Sequence, residues 1–303
     1  MKDIVIIGSG PAGLSAALYA HRAGLDTVII EKEYGGAGQI TESNMVDNYL
    51  GIPGIDGYEL GERFREHVLN NGIEIINAEV SDISEIEPTD TANKGWQITK
   101  SDGDILCSRT VIYATGASHR MLGCAGEEEL LGCGVSYCAI CDGAFHKGKE
   151  VAIVGGGDTA LDDALYLSRL CKKVHLIHRR DSFRASKKTV DAVKNTENIS
   201  LELNTNVESI NGEDLVESVT LKNGKTLKVS GVFIAVGQAP QTKLLEGKIE
   251  LSENGYVVSD ETGKTNRPGF YVAGDVRTKR LRQVVTAVSD GANAVTNIED
   301  YLK

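Results

Sequence analysis

Residues 4–13 read Ile4-Val5-Ile6-Ile7-Gly8-Ser9-Gly10-Pro11-Ala12-Gly13, an apolar run that breaks into a G-x-G-x-x-G turn. Four apolar residues in succession suit a strand buried on both faces. Pro11 suits a first helical turn, where a missing N–H costs nothing. Beyond it Leu14, Ala17, Leu18 and His21 recur at helical spacing and predict one buried face. Thr27-Val28-Ile29-Ile30 then reads as a second strand that closes on Glu31. Strand, glycine turn, helix, strand and acidic residue form the order of a dinucleotide-binding βαβ unit. Gly8 serves the tight turn, Gly10 lets a pyrophosphate approach the backbone, and Gly13 lets helix and strand pack closely. The helix N-terminus offers N–H groups and the positive end of its dipole to the phosphates. Glu31 can accept from a ribose hydroxyl.

The pattern recurs. Val151-Ala152-Ile153-Val154 precedes Gly155-Gly156-Gly157-Asp158-Thr159-Ala160, and a helical stretch carries Leu161, Ala164, Leu165 and Ser168 before Val174-His175-Leu176-Ile177. Ala160 takes the place of the third glycine, which the fingerprint tolerates. Glu31 lies 23 residues after Gly8, and the same offset from Gly155 lands on His178, followed by Arg179 and Arg180, with Arg184 four residues on. A carboxylate there favours a free ribose 2′-hydroxyl, whereas arginines accommodate a 2′-phosphate. The first unit is therefore expected to hold an adenine dinucleotide without that phosphate. The second is expected to hold NADPH on Gly155, Gly157, Asp158, Thr159 and Ala160, with His178, Arg179, Arg180 and Arg184.

Three more apolar runs close on glycine: Thr110 to Ala114 before Thr115-Gly116, Val232 to Val236 before Gly237, and Phe270 to Ala273 before Gly274-Asp275. Buried parallel strands whose carboxyl ends face a ligand look like this. The last run reads as a return to the first domain. The expected fold is α/β, with two Rossmann-like dinucleotide-binding domains, the second inserted into the first. Residues 1–117 and 242–303 form the discontinuous domain and 118–241 the insert, with crossovers near Gly116-Ala117-Ser118 and Gly237-Gln238-Ala239-Pro240.

Between the two turns stands Cys138-Ala139-Ile140-Cys141, with thirteen residues separating Cys141 from Gly155. The chain opens on Met1-Lys2-Asp3 and the first strand, with no signal-peptide pattern. No apolar stretch nears the ~20 residues that span a bilayer. A soluble, cytoplasmic protein with no membrane partner is expected. Six cysteines in such a chain are not a disulfide framework, so the C-x-x-C pair reads as redox or metal chemistry. A structural zinc needs four ligands, and only Cys133 and His146 are near candidates, so no metal is expected. Cys107, Cys124, Cys133 and Cys171 read as small buried or half-buried residues. The net charge of -11 disfavours nucleic acid. The one basic cluster, Arg277 to Arg282, reads as a solvated loop. A dithiol between two nucleotide units implies electrons passing from one nucleotide cofactor, through another, into a disulfide.

These motifs resemble, nearly end to end, the low-molecular-weight bacterial-type thioredoxin reductases, which are flavoprotein disulfide reductases. The match runs through residues 8–13, Ala114-Thr115-Gly116-Ala117, Cys138-Ala139-Ile140-Cys141-Asp142-Gly143, residues 155–160, His178-Arg179-Arg180 with Arg184, and Gly274-Asp275-Val276. The resemblance implies FAD in the first domain, NADPH in the second, a homodimer, and thioredoxin or a thioredoxin-like protein as acceptor. It implies that FAD meets Gly8, Ser9, Gly10, Pro11, Ala12 and Gly13, with Glu31. Gly38, Gln39, Asn48, Thr115 and Gly116 are further implied contacts. Gly274 and Asp275 would touch the ribityl chain, and Gln283 and Val284 would lie beside the flavin ring. Cys141 would face the flavin, Cys138 would attack the substrate disulfide, and Asp142 would serve the proton transfers; spacing alone does not order the two cysteines. The dithiol must meet the flavin and then a protein substrate, so the resemblance also implies an insert that turns about the crossovers.

Gly35-Gly36-Ala37-Gly38-Gln39 departs from the family by being longer than the Gly-Gly-Gln of many members. Other readings differ in one feature each. A ferredoxin-fed reductase would lose the second fingerprint or its arginines, and both are present. A dithiol oxidase would share the C-x-x-C and flavin site and differ by consuming oxygen. A non-catalytic nucleotide sensor would leave the dithiol unexplained. The larger glutathione-reductase type would carry its cysteine pair near the N-terminus.

Overall fold

The structure, a computed structural model, describes residues 1–43, 45–86 and 94–303. The first unit opens with β1 (Lys2–Ile7), α1 (Pro11–Arg22), β2 (Thr27–Glu31), α2 (Gly57–Leu69), β3 (Glu74–Asn77), β4 (Val80–Ile86), β5 (Gly95–Lys100) and β6 (Ile105–Tyr113). A crossing segment, β7 (Ala117–His119), leads to the insert. The insert holds β8 (Val135–Ser136), α3 (Ala139–Asp142), β9 (Glu150–Val154), α4 (Asp158–Ser168), β10 (Lys173–His178), α5 (Lys187–Lys194) and β11 (Ile199–Leu203). It ends with β12 (Val207–Asn211), β13 (Ser218–Leu221), β14 (Thr226–Lys228) and β15 (Gly231–Ile234). The chain returns through β16 (Gln238–Pro240), which pairs with β7, and finishes with β17 (Phe270–Val272) and α6 (Val284–Leu302). The compact units are Met1–Ser118 with Ala239–Lys303, and His119–Gln238.

In the first unit the strand order is β3-β2-β1-β6-β5-β4. β1 lies between β2 and β6, parallel to both. One edge of β6 is shared. Its start, Ile105 to Ser108, pairs antiparallel with β5, and its end, Val111 to Tyr113, pairs parallel with β17. The apolar runs split by the period-two rule. Ile4, Ile6, Ile29 and Ile112 face one core with α1 and α6; Val5, Ile7, Val28, Ile30 and Val111 face another with Trp96 and Phe270. Each fully buried aliphatic side chain contributes about 1.5–3 kcal/mol. The insert repeats the plan in the order β11-β10-β9-β15-β8, all parallel. Val151, Ile153, Val174 and Leu176 pack on α4, while Ala152, Val154 and Ile177 pack on the β12-β13-β14 sheet.

Helix α1 departs from the expected single face. Residues Ala12 through Ala17 are all buried, with Ala20, and His21 is exposed. The reason is α6, which covers a second side of α1 so closely that a Cβ on Gly291 would overlap the Ala12 carbonyl oxygen. Small residues at Ala12, Ser15 and Ala16 make that approach possible. The Arg277–Arg282 stretch also departs from expectation. Arg277 is only 2% exposed and the Lys279 side chain is buried, because both are bonded to the buried carboxylate of Asp290. No helix among the described residues is long and apolar enough to cross a membrane.

Candidate functional site

The first glycine turn is shaped by backbone contact. Gly8 has φ +104°, a region that favours glycine. A Cβ on Gly13 would overlap the Gly8 carbonyl oxygen, so α1 can start this close to β1 only with glycine there. Gly10 differs, since a Cβ on it would come only into ordinary contact, 3.8 Å from Gly38 Cα and 3.9 Å from the Ala37 carbonyl oxygen. A glycine at this position lets a pyrophosphate approach the backbone of the turn. At the end of β2 the Glu31 carboxylate is held from below: Oε2 accepts from Ser9 N–H at 2.7 Å, and Oε1 from Glu33 N–H at 3.0 Å. The Ser9 hydroxyl lies 2.8 Å from Glu31 Oε2 and 2.6 Å from the Gly36 carbonyl.

The longer glycine segment after β2 is seated against this turn. Ala37 is buried in a small core with Ile40, Val46, Ile55 and Leu60. Gly38, at φ +76°, passes Gly10 so closely that its Cβ would lie 3.0 Å from Gly10 Cα. The extra residues thus bring Gly38 and Gln39 to the mouth of the turn.

Two more predicted groups converge in this unit. Asn48 Nδ2 donates to Gln283 Oε1 at 2.9 Å. Gln283 also caps α6 in a reciprocal capping box with Thr286. At the end of β17, Gly274 has φ +81°, and a Cβ on it would sit 2.9 Å from Ala12 Cβ. Its neighbour Asp275 has a buried Oδ1 with no hydrogen-bond partner among the described residues; the Lys279 ammonium is 3.8 Å away. Burial holds the Asp275 acid above the ordinary carboxylate range, against the pull of Lys279 and Arg282. A buried acceptor without a donor is costly, and a ligand hydroxyl would satisfy it. Together with the glycine turn at the start of α1, this fits a flavin dinucleotide. Thr115 and Gly116 stand nearby in sequence to the crossing, where Thr115 Oγ1 and the Tyr113 hydroxyl both donate to the Gln241 carbonyl, at 3.0 and 2.8 Å.

The second turn is built differently. A Cβ on Gly156 would overlap the imidazole of His178, which fills the place beneath the turn. His178 Nε2 donates to the Ser182 carbonyl at 3.2 Å, and the ring stacks on Phe183 with centroids 5.4 Å apart. Burial lowers the pKa of His178, and the charges of Arg179, Arg180 and Arg184 lower it further. The three arginines are exposed, unlike the histidine expected to act with them. Two bonds fold their loop back toward the turn: Arg184 N–H to the Gly156 carbonyl at 2.8 Å, and Ser186 N–H to Asp158 Oδ1 at 2.9 Å. A Cβ on Gly157 would meet nothing within 4 Å among the described residues. Open space at a helix start, flanked by exposed guanidinium groups, suits a phosphorylated dinucleotide.

In the same unit Cys138 and Cys141 form a disulfide, with Cα atoms 5.3 Å apart. Cys138 is the N-cap of α3, and its Sγ accepts from Cys141 N–H at 3.2 Å. Ser136, which sequence reading passed over, ties the site together. Its hydroxyl donates to Asp142 Oδ2 at 2.6 Å and accepts from Cys138 N–H at 3.0 Å. Burial raises the Asp142 pKa, and the Ser136 bond only partly offsets that. One residue before the disulfide, Tyr137 stacks flat on His119 with centroids 4.6 Å apart, and its hydroxyl donates to buried Glu127 at 2.9 Å. Glu127 and Ser136 carry no signal in a sequence, since neither belongs to a motif. The free cysteines are Cys107, Cys124 and Cys133, half-buried, and Cys171, buried.

Comparison with known proteins shows the family. Residues 2–291 match the pyridine nucleotide-disulphide oxidoreductase family. The chain is 42% identical to a thioredoxin reductase of Listeria innocua, over 99% of this chain and 94% of that one. It is 41% identical to a thioredoxin reductase of Peptoclostridium litorale, over 99% and 97%. Among solved structures, a thioredoxin reductase from Streptococcus pyogenes superposes with a TM-score of 0.92 at 38% identity, covering 100% of this chain and 98% of that one. With two glycine turns, an inserted unit and a Cys138–Cys141 disulfide in place, the chain belongs to the pyridine nucleotide-disulphide oxidoreductases, in their low-molecular-weight thioredoxin reductase branch.

Proposed function

We propose that this protein is an NADPH-dependent thioredoxin-disulfide reductase that works through FAD and the Cys138–Cys141 pair. The observation that carries this reading is the disulfide itself, formed at the start of α3 in the unit that also holds the second glycine turn. FAD, when bound, accepts a hydride from NADPH and supplies its two electrons to a disulfide. The first unit would hold FAD on the Gly8–Gly13 turn, with Glu31 on the ribose, Gly38, Gln39, Asn48, Thr115 and Gly116 around the cleft, Gly274 and Asp275 on the ribityl chain, and Gln283 and Val284 at the ring. The insert would hold NADPH on the Gly155–Ala160 turn, with Arg179, Arg180 and Arg184 on the 2′-phosphate. His178 serves by filling the floor under Gly156.

Once the pair is reduced, the Cys138 thiolate attacks one sulfur of the acceptor disulfide and releases the other as thiolate. Cys141 then attacks Cys138 Sγ, which re-forms the Cys138–Cys141 bond and frees the second acceptor thiolate. Cys141 N–H, aimed at Cys138 Sγ, favours the thiolate there. Two protons end on the acceptor thiols. Asp142, held above its ordinary pKa by burial, carries a proton to a pH where an exposed carboxyl would not. Ser136 keeps it beside the Cys138 backbone.

The acceptor is thioredoxin or a thioredoxin-like protein, the active form is a homodimer, and the site of action is the cytoplasm. Four free thiols beside one reducible pair agree with a reducing compartment. Anaerobic titration with NADPH tests the reading. Flavin and disulfide each take two electrons, so two equivalents should bleach the flavin fully and open the disulfide. Cys138→Ser and Cys141→Ser should each abolish thioredoxin reduction and leave FAD bound, with one equivalent sufficing for bleaching. No bleaching by NADPH would sink the reading in favour of another electron donor.

A further inference from the structure

Asp290 is a buried carboxylate that the proposed chemistry does not use. It lies on α6, two turns after Gln283. Its Oδ2 accepts from Gly274 N–H at 2.9 Å, Arg277 Nε at 2.9 Å and Lys279 Nζ at 2.8 Å, and its Oδ1 from Arg277 Nη2 at 2.7 Å. Arg277 also donates to Glu261 Oε2 at 3.0 Å and to the Thr278 carbonyl at 2.9 Å. A buried ion pair adds little net stability, because desolvation offsets the attraction. Its effect here is geometric. All the donors to Asp290 belong to the turn after β17, and the acceptor belongs to α6. A two-pronged guanidinium–carboxylate contact fixes both spacing and plane, so the turn cannot slide along the helix.

That register bears on the cofactor. The turn carries Asp275, and the start of α6 carries Gln283 and Val284. A second observation points the same way. Lys279 gives its hydrogen bond to Asp290 and stays 3.8 Å from Asp275 Oδ1, which is buried and lacks a donor among the described residues. Asp290 thus diverts the nearest cation from the acceptor that a ligand hydroxyl would use.

We propose that Asp290 is a positioning residue for the flavin: it clamps the Gly274–Lys279 turn to α6 and keeps Asp275 free to receive a ribityl hydroxyl. This rests on the reading of the first unit as the FAD site. The test is the dissociation constant of FAD from the apoprotein, followed by flavin fluorescence, together with the melting temperature of the same apoprotein. Asp290→Asn should weaken FAD by about tenfold or more. It should leave NADPH binding to the insert unchanged. Because Asp290→Asn takes the buried carboxylate from Arg277 and leaves it only the exposed Glu261, a second variant, Arg277→Met with Asp290→Met, removes both buried charges together and should lose FAD affinity to a similar degree. Combining Asp290→Asn with Asp275→Asn should cost less than the product of the two single effects, since one residue acts through the other. Wild-type FAD affinity in the double methionine variant, or a lowered melting temperature with unchanged affinity in Asp290→Asn, overturns the proposal. Wild-type apoprotein that fails to bind FAD at all removes the reading of the first unit and the proposal with it.

Discussion

The turns at Gly8–Gly13 and Gly155–Ala160 share a fingerprint and solve its packing differently. Position for position they lie 147 residues apart, so Ser9 corresponds to Gly156, Gly13 to Ala160, Ala16 to Asp163 and Glu31 to His178. In the first copy a serine inside the turn bonds the carboxylate at the end of the next strand. In the second, the serine is replaced by glycine, and an imidazole occupies the vacated volume. The pairs Ser9 with Glu31 and Gly156 with His178 are two complete solutions, and a mixed pair would clash or leave a gap. The helices differ for a related reason. α1 is covered by α6 and carries small residues there, whereas α4 carries Asp162 and Asp163 at the corresponding positions.

The largest expected effect lies at the third fingerprint position. Gly13→Ala drives a methyl into the Gly8 carbonyl and should cost more than ~3 kcal/mol, beyond the usual range for overpacking, because the obstacle is backbone. Ala160→Gly in the second copy should cost only about 1 kcal/mol, from helix propensity. Urea melts of the two variants check this, and equal losses would break the comparison.

Next comes the phosphate preference. Arg179→Ala with Arg180→Ala should raise the KM for NADPH about 100-fold, ~2.7 kcal/mol, while the KM for NADH stays put. A parallel loss with both nucleotides would assign the arginines a structural role.

A smaller effect separates the helices. Burial, with the Asp162 charge beside it, pushes the Asp163 acid up to about 6. The unfolded chain titrates nearer the ordinary carboxylate value, so between roughly pH 4 and pH 6 the folded state holds the extra proton. Stability therefore falls as pH rises through that window, and the penalty is complete above it. Asp163→Asn should add about 2 kcal/mol at pH 7 and almost nothing at pH 4. Melts at both pH values decide it, because a gain independent of pH would implicate packing.

The smallest change probes the floor of the second turn. Gly156→Ala must displace the His178 ring, and should weaken NADPH about tenfold, ~1.4 kcal/mol. His178→Ala in the same background should restore part of that affinity, since it removes the obstacle. No recovery would mean that the added methyl acts on the nucleotide directly.

Much of this was legible in one dimension because the features are local or periodic. A strand that ends on glycine, a helix that begins on proline, and two cysteines separated by two residues are each written within a few positions. The offset from Gly8 to Glu31, repeated from Gly155 to His178, marked the residues that end the second strand of each unit. It did not foretell that His178 would be buried while its neighbours Arg179 and Arg180 stay exposed. Nor did a run of basic residues from Arg277 disclose its partner, since Asp290 lies a further helix turn or more beyond and belongs to no pattern.

The chain by itself determined the two strand–glycine turn–helix–strand units and the close spacing of Cys138 and Cys141, because glycine geometry and hydrophobic period act over short spans. Only the tertiary structure decided which faces of α1 are buried, that Ser136 braces Asp142, and that Asp290 clamps the turn carrying Asp275. Those choices depend on volumes and hydrogen bonds contributed by separate elements, and such complementarity exists only once the elements have packed.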